Sequence, residues 1–262
     1  MRIIFLVLWT IFLSSCNQTD LSQYFGDFKG TIVIYDQNLA EYTIVNETRA
    51  NTRFTPFSTF KIPNSIIALE TGVVSDVDQI IAWDTLKYAA EDWWPKMWGG
   101  EHNLKTAIKY SVVPLYRNIA SQIGNERMQR FVTMFDYGNT NISSGVDNFW
   151  LNGSLKITAQ EQVEFLRKFY SGRLAASEYS IKSVKSILIQ ESTGSYTLSY
   201  KTGAGSINAE RNSALGWLVG YVEKQDNIYY FAMNIKGTTF EEVLAPRVEI
   251  TTAILRELDI ID

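Results

Sequence analysis

Two short runs in this 262-residue chain carry side chains able to do acyl chemistry. Ser58-Thr59-Phe60-Lys61 sets a hydroxyl and an amine three residues apart where a helical pattern opens. On a helix, side chains at i and i+3 face the same way, so the Lys61 amine can lie beside the Ser58 hydroxyl. Serine attacks only when a base takes its proton, and a lysine is that base only with a lowered pKa or after modification. The helix N-terminus adds backbone N–H groups and a positive dipole end suited to an oxyanion. Downstream, Lys201-Thr202-Gly203 ends the β-like run Ser199-Tyr200-Lys201. A cation and a hydroxyl there can meet a carboxylate, while glycine lets a substrate backbone pass close. Each run has an ordinary reading too: a surface lysine on a first turn, and a lysine exposed at a turn. Pro63 counts against a regular helix through Ser58, because it lacks an N–H and crowds the Thr59 carbonyl.

Composition narrows the chemistry. With one His and one Cys, no zinc site of four cysteines, of two cysteines and two histidines, or of three histidines can be built. Cys16 alone forms no intramolecular disulfide. A net charge of −4 leaves no basic field for nucleic acid. The hydrophobic share of 46% is that of a globular chain rather than a disordered one.

The first residues are an address. Arg2 is followed by Ile3–Trp9, Thr10 and Ile11–Leu13, with no charge until Asp20. About a dozen apolar residues are too few to span a bilayer but suit a signal-peptide core. Leu13-Ser14-Ser15-Cys16 resembles a bacterial lipobox, in which the cysteine becomes residue one and is lipidated. The alternative is an ordinary secretory signal cut nearby. Residues 1–15 are thus expected to be a signal peptide, 16–25 a tether and 26–262 one catalytic domain. The expected place is the periplasm, with membrane anchoring through lipid on Cys16.

The elements that must position the reactive groups follow from periodicity. Thr31–Tyr35 and Glu41–Val45 are β-rich runs flanking Asp36-Gln37-Asn38, which predicts a hairpin. From Ser58 to Leu69 the pattern is helical, and Gly72 stops it. Helical stretches over Leu104–Tyr110, Leu115–Gly124 and Ala159–Tyr170 fill a mainly helical region, 76–177. Strands are expected over Tyr196–Lys201, Gly216–Glu223 and Ile228–Asn234, and a closing helix over Val243–Leu258. The order predicts an α+β fold: one antiparallel sheet assembled from both chain ends (26–75 and 178–262), flanked by helices, with a helical region inserted.

The Ser-x-x-Lys and Lys-Thr-Gly runs, once each and in this order, form the shared signature of serine β-lactamases and penicillin-binding proteins. The sequence further resembles class D (OXA-type) β-lactamases. Ser58-Thr-Phe-Lys-Ile-Pro-Asn-Ser65 on to Gly72 is similar to that family's nucleophile helix, which also tolerates the proline. Ser111-Val112-Val113 matches its Ser-x-Val, and Tyr137-Gly138-Asn139 its Tyr-Gly-Asn. Phe149-Trp150-Leu151 leading to Leu155-Lys-Ile-Thr158 matches its tryptophan loop, and Gly216-Trp217 its following strand.

The resemblance implies a serine β-lactamase/transpeptidase-like fold and hydrolysis of small-molecule β-lactams. Ser58 would be the acylated nucleophile. Lys61 would hold CO2 covalently as N6-carboxylysine and act as general base, with no metal. Trp150 would hold that carbamate, Val113 would keep the pocket apolar and Ser111 would relay a proton to the leaving nitrogen. Lys201, Thr202 and Arg247 would receive the substrate carboxylate, Gly203 would let the substrate backbone pass close, and the N–H groups of Ser58 and Ala204 would form the oxyanion hole. Two positions depart from the pattern. Asn152 stands where the family commonly has Glu, and Ala204-Gly205 is smaller than the usual aromatic-Ser pair. A penicillin sensor that acylates but barely deacylates, and a D,D-peptidase, are the competing functions. Sensors of this kind normally carry membrane helices and a zinc protease.

The remaining features have plainer readings. The aromatic run Asp92–Gly100 is either a hydrophobic lip over the site or an ordered loop. His102 lacks a triad partner and is expected to be a loop residue, and Asp76–Asp84 a solvated surface. Tyr137-Gly138-Asn139 predicts a tight turn.

Overall fold

The structure, a computed structural model, describes residues 20–151 and 153–262. The expected signal peptide, Cys16 and Asn152 lie outside the described residues.

Six antiparallel strands form one sheet: β1 (Lys29–Asp36), β2 (Glu41–Val45), β3 (Ile189–Ser192), β4 (Tyr196–Ser206), β5 (Ala214–Lys224) and β6 (Asn227–Gly237). Their spatial order is β2-β1-β6-β5-β4-β3. The β1–β6 ladder, from Lys29↔Lys236 to Asp36↔Tyr229, joins the two ends of the chain as the element order predicts. The hairpin at 36–41 is present, closed by Asp36↔Glu41. β4 and β5 run past the expected boundaries to eleven residues each. The four-residue β3, exposed throughout, carries no hydrophobic alternation that would announce it.

The helices are α1 (Glu47–Ala50), α2 (Lys61–Glu70), α3 (Leu104–Lys109), α4 (Val113–Ile123), α5 (Asn125–Met134), α6 (Ala159–Tyr170), α7 (Glu178–Leu188) and α8 (Pro246–Glu257). Reciprocal caps fix the starts of α3 (Asn103 with Thr106) and α6 (Thr158 with Glu161). The sheet is covered on both faces, so β5 is buried from Ala214 to Val222 and reads as a continuous apolar run. Val33, Trp217, Val219 and Ala232 pack in one core with Ile66 of α2, Ile119 of α4 and Phe165 of α6. Ile32, Leu218, Phe231 and Met233 pack on the other side with Ile254 and Leu255 of α8.

The tether expected over 16–25 does not extend that far. Leu21–Phe25 is a 3-10 turn capped by Asp20, and Leu21 and Phe25 are buried in the α8 core. Two apolar side chains four apart suffice to dock a segment that is otherwise polar.

Candidate active site

Ser58 sits on a 3-10 turn rather than on the α-helix the Ser-x-x-Lys spacing suggests, and Lys61 opens the helix that follows. Phe57–Phe60 is the 3-10 turn, and α2 begins at Lys61. In a 3-10 turn residues i and i+3 eclipse one another, which brings Lys61 Nζ to 2.7 Å from Ser58 Oγ. The same offset accommodates Pro63. It lies in the first turn of α2, where its missing N–H has no helical partner to lose. Phe57, immediately before the nucleophile, takes φ 49°, a left-handed conformation costly for a bulky residue.

Lys61 is fully buried. Its Nζ lies 5.3 Å from the centroid of the Tyr116 ring. Burial first, and the positive charge of Lys201 second, hold its amine well below the usual lysine range. Phe60 stacks on Trp150 and meets Phe149 and Tyr137 edge-on, so the residue between Ser58 and Lys61 anchors an aromatic cluster. Trp150 is fully buried, and its indole N–H has no partner among the described residues. An orphan donor in a dry pocket needs an acceptor, and a carboxylate on the Lys61 nitrogen is an acceptor of the right charge. These residues therefore fit the CO2 adduct that the sequence resemblance implies.

β4 forms the opposite wall. Its outer edge pairs with β3 only as far as Ser199, so residues 200–206 leave that edge open. The Tyr200 carbonyl faces it, accepting from Gln190 Nε2 at 3.4 Å. Alternation along the strand then points the Thr202 and Ala204 N–H groups the same way. The strand lies tight on the nucleophile turn: a Cβ at Gly203 would come within 2.9 Å of the Pro56 carbonyl, and one at Gly205 within 2.2 Å of the Phe57 ring. The glycine of Lys-Thr-Gly thus serves the approach of the protein's own backbone, a packing demand the sequence reading had assigned to substrate. Lys201 is buried and donates to the Thr202 carbonyl at 3.0 Å. Burial, then the charge of Arg247, bring its pKa down to about 7. Arg247, in the first turn of α8, donates to the Gly203 carbonyl at 2.9 Å, which brings this distant arginine to the strand. Burial lowers it to about 10, and its Nε has no partner among the described residues.

Ser111 occupies the turn between α3 and α4 with φ 58°. Val112 behind it is buried, and Val113 opens α4 on the lining of the cleft. Trp94 and Trp98 line the same cleft, together with Phe57 and Ala204. His102 is a buried ring stacked on Trp83, with Nδ1 3.2 Å from Thr106 Oγ1.

One supporting residue, Gln162, belongs to no motif. Tyr137 Oη donates to Gln162, and Gln162 Nε2 donates to Thr59 Oγ1 at 2.9 Å, a buried chain ending beside Ser58. The Thr158-x-x-Glu161 cap, legible in the sequence, fixes the start of α6 and hence the face Gln162 takes. Gly138 and Asn139 form the expected turn and grip Lys156. Asn139 N donates to the Lys156 carbonyl at 2.9 Å, and Lys156 N to Asn139 Oδ1 at 3.0 Å. Among the described residues no cluster of His, Cys, Asp and Glu could hold a metal ion.

Comparison with known proteins gives the same picture. The penicillin binding protein transpeptidase domain family matches residues 30–257. The β-lactamase OXA-48 of Klebsiella pneumoniae is 43% identical over 89% of this chain and 84% of its own. The regulatory protein BlaR1 of Bacillus licheniformis is 35% identical over 87% of this chain, which spans only 37% of BlaR1. The crystal structure of FUS-1 (OXA-85), a class D β-lactamase from Fusobacterium nucleatum subsp. polymorphum, superposes with a TM-score of 0.85 at 36% identity, covering 92% of this chain and 98% of that one. With OXA-48 at 43% identity over most of both chains and a class D structure superposing across nearly the whole fold, this chain belongs to the class D β-lactamases.

Proposed function

We propose that this protein hydrolyses β-lactams through an acyl-serine on Ser58, with Lys61 in its N-carboxylated form as the general base. The observation that carries the reading is Lys61 Nζ at 2.7 Å from Ser58 Oγ, inside a pocket whose burial pulls the amine well below the usual lysine range and so toward its neutral form. A neutral amine is the form that combines with CO2, and the resulting carboxylate supplies a base for proton abstraction. Ser58 Oγ attacks the lactam carbonyl carbon as its proton leaves toward Lys61. The C–N bond breaks, and Ser111 passes a proton to the departing nitrogen. The N–H groups of Ser58 and Ala204 receive the developing oxyanion. Lys201, Thr202 and Arg247 take the substrate carboxylate. Water then attacks the acyl-serine, with Lys61 again removing the proton, and Ser58 is released.

The N-terminal sequence supports export to the periplasm, with a lipid on Cys16 as membrane anchor. Mass analysis of the mature N-terminus tests that part.

Hydrolysis of benzylpenicillin by the chain from residue 17, with and without bicarbonate, tests the mechanism. Many turnovers raised by bicarbonate and abolished in Lys61→Ala are expected. One equivalent consumed, with a stable acyl group on Ser58, would replace the hydrolase by a sensor or a penicillin-binding protein.

A further inference from the structure

A cleft lined by Thr55 and Phe57, beside the nucleophile turn, is unevenly charged. It encloses about 740 Å³ between Phe57 and Val113 on one side and the 204–211 stretch on the other. Its outer wall is aromatic: Trp93, Trp94 and Trp98 meet edge to face, with centroids 5.6 to 6.4 Å apart. Four cations line it (Lys87, Arg117, Lys156 and Arg211) against a single carboxylate among the described residues, Glu91.

Those charges are not equally available. Glu91 accepts the Trp93 indole N–H at 2.6 Å. Arg117 is paired with Asp147 at 3.0 Å, and Lys87 donates to Ser121. Lys156 and Arg211 have no carboxylate partner among the described residues. Of the two, Lys156 stands beside the chemistry. Its Nζ donates to Thr55 Oγ1 at 2.6 Å, three residues before the nucleophile. Its backbone is held on both sides by Asn139, so the ammonium is presented from a fixed base. A half-buried cation whose one protein acceptor is a neutral hydroxyl keeps most of its attraction for an incoming anion.

We propose that Lys156 is a specificity-determining residue that selects β-lactams whose acyl side chain carries an anionic group beside an aromatic ring. The anion meets Lys156 and the ring lies against the Trp93–Trp94–Trp98 wall. This rests on the β-lactamase reading of the same cleft. Glu91, bonded to Trp93, disfavours an anion against the tryptophans, while Lys156 offers one a cation without a carboxylate partner among the described residues.

Three penicillins that differ only at the side-chain α carbon test the proposal: benzylpenicillin (hydrogen), α-carboxybenzylpenicillin and α-aminobenzylpenicillin. The wild-type protein is expected to favour the carboxylate over the ammonium compound by at least tenfold in kcat/KM. That preference should shrink as sodium chloride rises from 0.05 to 0.5 M. In Lys156→Met the carboxylate-to-ammonium ratio should fall at least tenfold, and Lys156→Arg should retain it. A ratio unchanged within twofold in Lys156→Met, with benzylpenicillin still turned over, overturns this proposal alone. If Lys156→Met does not fold, a wild-type ratio near one that ignores salt overturns it equally. Failure to turn over any of the three compounds overturns the β-lactamase reading itself.

Discussion

Phe60 stacks on Trp150 with ring centroids 5.4 Å apart and planes 26° from parallel. The side chain between Ser58 and Lys61 therefore packs on the indole whose N–H has no partner among the described residues. Trp150→Phe keeps an aromatic ring in that stack and deletes only the donor. A hydrogen bond to an anion is worth about 1.5–3 kcal/mol, so the bicarbonate concentration for half-maximal activity should rise about 10- to 100-fold. Thermal unfolding should move by only a few degrees. Bicarbonate titration of turnover, with a melting curve beside it, reads both, and an unchanged bicarbonate requirement would separate Trp150 from the carbamate.

Gly203→Ala should lower kcat more than stability. The added Cβ meets the Pro56 carbonyl and the Thr59 backbone, so β4 must withdraw from the nucleophile turn. Overpacking of this kind costs about 1–3 kcal/mol, while a displaced donor edge should cost about a hundredfold in rate. Steady-state kinetics on benzylpenicillin and urea denaturation of the same variant measure the two effects.

Two buried lysines make the fold's stability depend on alkaline pH. Lys201 titrates near 7 in the folded chain and near 10.5 when unfolded. Between those values the unfolded chain binds the extra proton, so stability rises with pH from about 7 to 10 and is lost as pH falls back through that window. The slope is at most about 1.4 kcal/mol per pH unit for each such lysine. Lys61 is shifted in the same direction and adds to it. Urea midpoints at pH 7, 8 and 9 should climb, and Lys201→Met should flatten the climb.

Arg247→Ala should raise KM for benzylpenicillin at least tenfold, with a smaller change in kcat. Its positive charge also helps to depress Lys201, although burial is the larger cause. Its loss should therefore shift the alkaline limb of kcat/KM to higher pH. A pH profile of the variant from 6 to 10 checks the sign, and a downward shift would contradict the coupling.

The sheet was legible because β1, β5 and β6 are dense in β-branched and aromatic residues, and chain order alone placed both ends in one layer. Ser58, Lys61 and Lys201 were legible as motifs. Their support was not. Whether Ser58 starts an α-helix or sits on a 3-10 turn depends on how β4 presses against Phe57, a contact across some 150 residues. Leu21 and Phe25 looked like tether because two apolar positions in a polar stretch make no period. Lys156 matched part of the tryptophan-loop motif but drew no role of its own. Its significance lies in lacking a carboxylate partner, which spacing cannot reveal.

The pairing of β1 with β6 has a consequence for how the chain comes into being. Ile32 finds its partner Met233 only after roughly two hundred further residues have been synthesised. The central sheet cannot close on a growing chain, and the helical middle waits beside half a layer. A ribosome-bound chain of this protein therefore stays open until β6 has emerged. Its dependence on holding factors should be greatest during that interval.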